Sequence, residues 1–129
     1  MKPRIATIVR KTQETDIKLT LNIDGSGETS IQTGIGFLDH MLTALAQHAQ
    51  FDLTLNCIGD LDVDGHHTSE DCAIALGTAV DQALGERRGI QRFGFAYCPL
   101  DEALTRVVID LSGRPVPVVS LGLRREKIG

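Results

Sequence analysis

Residues 51–85, FDLTLNCIGDLDVDGHHTSEDCAIALGTAVDQALG, contain the change of pattern on which the fold turns. FDLTLNCIG reads as a strand, and the polar run DLDVDGHH interrupts it. From Thr68 to Gly85 the apolar residues Cys72, Ala73, Leu76, Val80 and Leu84 return at helical spacing, which predicts a helix with those side chains inward and Gly85 or Gly89 as its stop. A strand, a polar loop dense in His, Asp and Glu, and a helix therefore follow one another within a single stretch.

Working toward the N-terminus, Phe37, Leu38, Met41, Leu42, Leu45 and Ala49 recur near the i, i+3, i+4, i+7 spacing and predict a helix from Phe37 to Gln50. Before it, RIATIVRK and TDIKLTLNID read as strands, the second with Ile17, Leu19, Leu21 and Ile23 on one face. The turn residues DGSGE at Asp24–Glu28 lead to a short strand ETSIQT, so a three-strand meander is expected. Toward the C-terminus, RFGFAYCPL, ALTRVVIDLSGR and PVPVVSLGL read as three further strands joined by Leu-Asp-Glu and Ser-Gly-Arg-Pro. The fold class is α+β. The order suggests a first half over residues 1–90 (three strands, helix, strand, helix) and, over 91–129, the opening strands of a second half that is cut short. A single mixed two-layer domain is the alternative.

Composition narrows the function. Of 129 residues, 42% are hydrophobic and 23% charged, which is the profile of an ordinary globular chain. No apolar run approaches the ~20 residues of a membrane-spanning helix, and MKPRIATIVRK lacks a secretory signal's apolar core, so a cytoplasmic protein is expected. The net charge is −4 with scattered Lys and Arg, which argues against nucleic acid. Cys57, Cys72 and Cys98 lie in apolar stretches without CxxC spacing and are expected to be buried reduced thiols.

Chemistry concentrates in Asp60, Asp62, Asp64, His66, His67, Glu70 and Asp71. On a helix His66 and Glu70 share a face, whereas His67 is turned about 100° from His66. The two histidines would then serve different metal ions, His66 with Glu70 on one and His67 on the other, joined by His40. Without cysteine ligands such sites stay open to substrate or water. The same pattern also suits a solvated helix start. Asp39 could orient His40, although neighbours on a helix diverge. His48 lies near the face of His40. Glu14, in KTQETD, reads as an exposed turn carboxylate. Arg92 and Arg114 stand beside glycines, a setting for gripping phosphate or for a surface ion pair. Asp101 and Glu102 read as structural.

Taken in order, GIGFLDHMLTALAQH, GDLDVDGHHTSEDCAIALGTAV, GIQRFG, LDEAL and DLSGRP resemble the imidazoleglycerol-phosphate dehydratase family of histidine biosynthesis. The resemblance covers the whole chain and rests on five separated motifs. It implies a duplicated fold, each half a four-stranded sheet backed by two helices, like the second domain of ribosomal protein S5. It also implies homo-oligomers, hollow shells of 24 chains built from trimers. The cofactor implied is manganese, two ions per site, with other divalent metals open.

By the same resemblance His40 and His67 would supply half the ligands of one ion, and His66 and Glu70 half those of the other. Glu14 would be the catalytic acid-base carboxylate. The segments His40–His48 and His66–Glu70 would contact substrate, as would Arg92 and Arg114. The implied reaction dehydrates imidazole glycerol phosphate to imidazole acetol phosphate. Family members are longer and carry a second HHxxE motif that this sequence lacks. The alternative is therefore a folded, self-associating fragment with incomplete metal sites. A hydrolase using the His/Glu cluster to activate water is a further, remoter reading.

Overall fold

The computed structural model of the chain describes residues 3–122. Two compact units divide them, the first running to Gly85 and the second starting at Glu86.

The first unit contains β1 (Ile5–Lys11), β2 (Thr15–Asn22), β3 (Thr29–Gln32), α1 (Gly36–Ala49), β4 (Asp52–Gly59) and α2 (His66–Leu84). Its sheet has the order β1-β2-β4-β3. β1 and β2 form an antiparallel hairpin, and β2 pairs antiparallel with β4. The expected meander fails at its third strand: β3 leaves β2 and runs parallel to β4, with Thr29 opposite Leu53. Two features account for this. A parallel neighbour requires a crossover, and α1 supplies one between β3 and β4. The Asp52 carboxylate also accepts the N–H groups of Ser26 (2.7 Å) and Glu28 (3.1 Å), which ties the turn to the start of β4.

The core lies between the sheet and the helices. Ile17, Leu19 and Leu21 of β2 have no exposed surface, as their alternation predicts, and Leu53, Leu55 and Cys57 of β4 join them. Facing them on α2 is a stripe of small residues: Thr68, Cys72, Ala75, Ala79 and Ala83 are buried, with Asp71 beside them. The inward set predicted for this helix is corrected accordingly, since Ala73 is exposed and Leu76 and Val80 pack only partly. Alanines bring the helix axis close to the sheet, and the larger side chains then flank the contact.

α1 departs from expectation in the same sense. Its fully buried residue is Ala46, with Leu38 and Leu42 packed beside it, while Phe37, Met41 and Leu45 are exposed. α2 begins two residues earlier than predicted. Asp64 accepts the N–H of His66 at 2.7 Å and the N–H of Ser69 bonds back to the carbonyl of Gly65, so the first turn takes in both histidines. Gly85, at φ +55°, ends it.

The second unit is an antiparallel hairpin of β5 (Phe93–Leu100) and β6 (Ala103–Asp110), with Phe93 opposite Asp110 and Leu100 opposite Ala103. The strand expected at PVPVVSLGL is absent over residues 115–122, and Leu123 lies outside the described residues. Pro115 and Pro117 offer no N–H to a ladder, which suits this irregular backbone. Cys98 is exposed on β5, contrary to expectation. Cys57 and Cys72 are buried as reduced thiols, and burial pushes Cys72 up to about 12 and Cys57 up as well. Among the described residues no helix is long and apolar enough to cross a membrane.

Candidate metal centre

The site is assembled where β4 passes into α2. Gly59 closes the strand against buried Thr68, and a Cβ there would fall 2.0 Å from Thr68 Oγ1. Glycine thus lets the first turn of α2 approach the strand end. On that turn His66 and Glu70 share an exposed face, with Nε2 and Oε2 3.9 Å apart. That separation is too long for a hydrogen bond. It is within reach of one shared cation, since imidazole and carboxylate ligands each stand about 2.0–2.2 Å from a zinc-sized ion.

His67 points elsewhere, its ring centroid 5.9 Å from that of His66 and the planes at 74°. Its Nδ1 lies 2.9 Å from Asp60 Oδ2. That is a hydrogen-bond distance, and it leaves Nε2, on the far side of the ring, outside the contact. The hydrogen bond to Asp60 raises the His67 pKa above its ordinary value against a smaller effect of burial, with the charges of Asp60, Glu14 and Asp64 adding to the rise.

Asp60 also reaches Glu14. Its N–H donates to the Glu14 carbonyl at 3.0 Å. Glu14 is exposed in the tight loop between β1 and β2, where Thr12 Oγ1 accepts the N–H groups of Glu14 (3.2 Å) and Thr15 (3.0 Å). A depression of about 300 Å³ opens there, with Lys11, Glu14, Asp16 and Asp60 on its rim.

Asp71 faces inward, one residue beyond Glu70. It accepts the Thr15 hydroxyl and pairs with Arg10 at 2.6 Å. The Thr15 hydrogen bond first, and the Arg10 charge with it, hold its carboxyl below the usual carboxylate range against burial. The polar cluster therefore divides by helix face: Glu70 is exposed, and Asp71 clamps the loop that carries Glu14.

His40 and His48 are exposed on α1. Asp39 does not orient His40; its carboxylate accepts the Thr33 N–H (2.9 Å) and hydroxyl (2.6 Å), which anchors the start of α1. In the second unit Arg92 closes its fork on Asp110 at 2.6 and 2.9 Å, the ion-pair alternative of the two read from the sequence. Arg114 is exposed, its N–H donated to Ser112 Oγ. Asp101 and Glu102 form the exposed β5–β6 turn.

Among the described residues no three His, Cys, Asp or Glu side chains close on one point. His66 with Glu70 is the pair of candidate ligands whose donor atoms approach one another. Imidazole nitrogens with a carboxylate oxygen are nonetheless a donor set that suits manganese and its neighbours.

Comparison with known proteins bears on this arrangement. The imidazoleglycerol-phosphate dehydratase family profile matches residues 33–129. The chain belongs to this family. It is 55% identical to the imidazoleglycerol-phosphate dehydratase of Pyricularia oryzae, an alignment covering 98% of this chain and 68% of that protein. It is 51% identical to that of Acinetobacter baumannii, over 100% of this chain and 64% of the other. The crystal structure of the dehydratase from Staphylococcus aureus superposes with a TM-score of 0.81 at 34% identity, covering 97% of this chain and 68% of that one. The chain thus spans about two-thirds of the length of the relatives it matches.

Proposed function

We propose that this chain carries the N-terminal portion of a dehydratase site that converts imidazole glycerol phosphate to imidazole acetol phosphate. The observation that carries the reading is the opposed placement of His66 with Glu70 and of His67, side by side at the start of α2. Two ions with separate half-sets of ligands require that arrangement: His66 and Glu70 for one, His67 with His40 from α1 for the other. Bound manganese would supply Lewis acidity and a template for the imidazole ring.

The chain's own residues would do the rest. Glu14, on the β1–β2 loop whose carbonyl meets the Asp60 N–H, would move a proton at the substrate carbon, a general acid-base role worth about 10²–10⁴ in rate. His48 completes the α1 face toward the substrate. Arg92 and Arg114 would hold the phosphate, Arg92 on exchanging Asp110 for it. The fold reading behind this is a duplicated one resembling the second domain of ribosomal protein S5, in which the β5–β6 hairpin repeats the β1–β2 hairpin. Assembly into homo-oligomers and a cytoplasmic location belong to the same reading. The second reading is a folded and self-associating chain with little activity alone.

Bound manganese per chain, measured after gel filtration together with dehydratase turnover, tests the division of roles. Glu70→Gln is expected to lower metal occupancy, whereas Glu14→Gln is expected to leave occupancy intact and abolish any turnover. Equal loss of metal in both variants would refute it.

A further inference from the structure

We propose that Asp60 is a positioning residue that fixes the His67 ring in its Nδ1–H form and presents Nε2 as the metal-facing atom. The inference deepens the dehydratase reading and rests on it for the identity of the ligand. Two observations support it. The Asp60 Oδ2 to His67 Nδ1 contact, at 2.9 Å, is the geometry by which a carboxylate selects one imidazole tautomer and one ring orientation. In addition, Asp60 is half-buried, and its other oxygen, Oδ1, is buried without a hydrogen-bond partner among the described residues. Among the described residues His67 is thus the hydrogen-bond partner that the Asp60 carboxylate has.

Asp60 also connects the two halves of the site. Its side chain holds His67 while its N–H holds the Glu14 carbonyl at 3.0 Å. The second contact is made by the backbone and survives side-chain substitution, so a variant at Asp60 isolates the histidine effect without moving the Glu14 loop.

The test is the tautomer itself, read on the full chain from long-range proton–nitrogen correlations of the imidazoles at a pH where they are neutral. The wild-type chain is expected to show His67 protonated at Nδ1; a proton on Nε2 would overturn the proposal with no variant needed. Asp60→Ala should shift the His67 proton to Nε2 while the amide spectrum and the His40 signals stay in place. Asp60→Asn, whose carbonyl still accepts, should retain the Nδ1–H form. An Asp60→Ala variant that keeps Nδ1–H would refute the assignment.

Manganese titration of the same samples adds a functional readout. Asp60→Ala is expected to weaken binding about 10–100-fold relative to wild type, the usual cost of losing a carboxylate behind a ligating histidine. Unchanged affinity would count against a role toward the metal. Failure of the wild-type chain to bind manganese would instead strike at the dehydratase reading, with the tautomer result still deciding the role of Asp60.

Discussion

Glu70 and Asp71 are chemically similar neighbours, and the 100° step of a helix sends one to solvent and the other to the interior. Asp71 receives the Thr15 hydroxyl and Arg10, and removing it strands the buried Nη1 of Arg10 and leaves the Thr15 hydroxyl with Thr12. Asp71→Ala is expected to destabilise the first unit by about 1–3 kcal/mol, the cost of leaving a buried donor unpaired. The urea midpoint of the far-ultraviolet helical signal measures this, because both helices belong to that unit. Glu70→Ala on the exposed face should leave the midpoint nearly unchanged.

Asp71 also sets a pH dependence. Its folded-state pKa lies below the ordinary carboxylate value of 3.8, so the unfolded chain binds more protons as the pH falls. The stability it contributes is present in full only above about pH 5, declines as the pH falls through the unfolded value of 3.8, and is lost below the depressed folded value. Asp24, held to about 2 chiefly by its hydrogen bonds with Arg4, shifts the same way. Acid unfolding is therefore expected below pH 4, and its dependence on pH should be shallower in Asp71→Ala; a profile identical to wild type would refute the linkage.

Between elements, the decisive contact for the site is Gly59 against Thr68. A methyl at Gly59 would lie 2.0 Å from Thr68 Oγ1, so Gly59→Ala must push the first turn of α2 away from β4. The expected cost is about 1–3 kcal/mol, typical of overpacking, and the manganese binding proposed above should weaken as His66 and His67 move. Thr68→Ala in the same chain removes the clashing oxygen and should recover much of both losses. Additive effects of the two substitutions would show that the contact is not what places the turn.

The sequence makes the elements legible where periodicity is strong and local. The alternation of Ile17, Leu19 and Leu21 reports a buried strand face, and the shared face of His66 and Glu70 follows from helix geometry alone. Pattern fails where the answer depends on a distant partner. On α1 two apolar stripes lie side by side, and spacing cannot tell that Leu38, Leu42 and Ala46 dock while Phe37, Met41 and Leu45 stay exposed. The parallel pairing of β3 with β4 is set by the α1 crossover and the Asp52 turn contacts, neither of which leaves a mark in the strand's own residues. Within the site, Asp60 was visible only as one of several acidic residues. Its contact with His67 spans a loop, and only the folded path of that loop singles it out from Asp62 and Asp64.

At the scale of the whole molecule the two units differ in how they bury apolar surface. The first has a four-stranded sheet with two helices over it; the second is a two-stranded hairpin in which every residue is exposed, including Phe95 at 77% and Val108 at 71%. An isolated hairpin is marginally stable at best in water, because two strands cannot shield their own ladder. Contiguous exposed apolar surface of this kind also favours association. The described chain is therefore expected to self-associate as its concentration rises, with its hairpin ordered by the contacts that form. Amide hydrogen exchange at two concentrations, paired with sedimentation, tests this. In the dilute monomer the β5 and β6 amides should exchange near the unprotected rate while those of β2 and β4 stay protected, and association should slow exchange in β5 and β6 alone. A dilute monomer with β5 as well protected as β2 would mean that the hairpin is stable by itself and is not ordered by assembly.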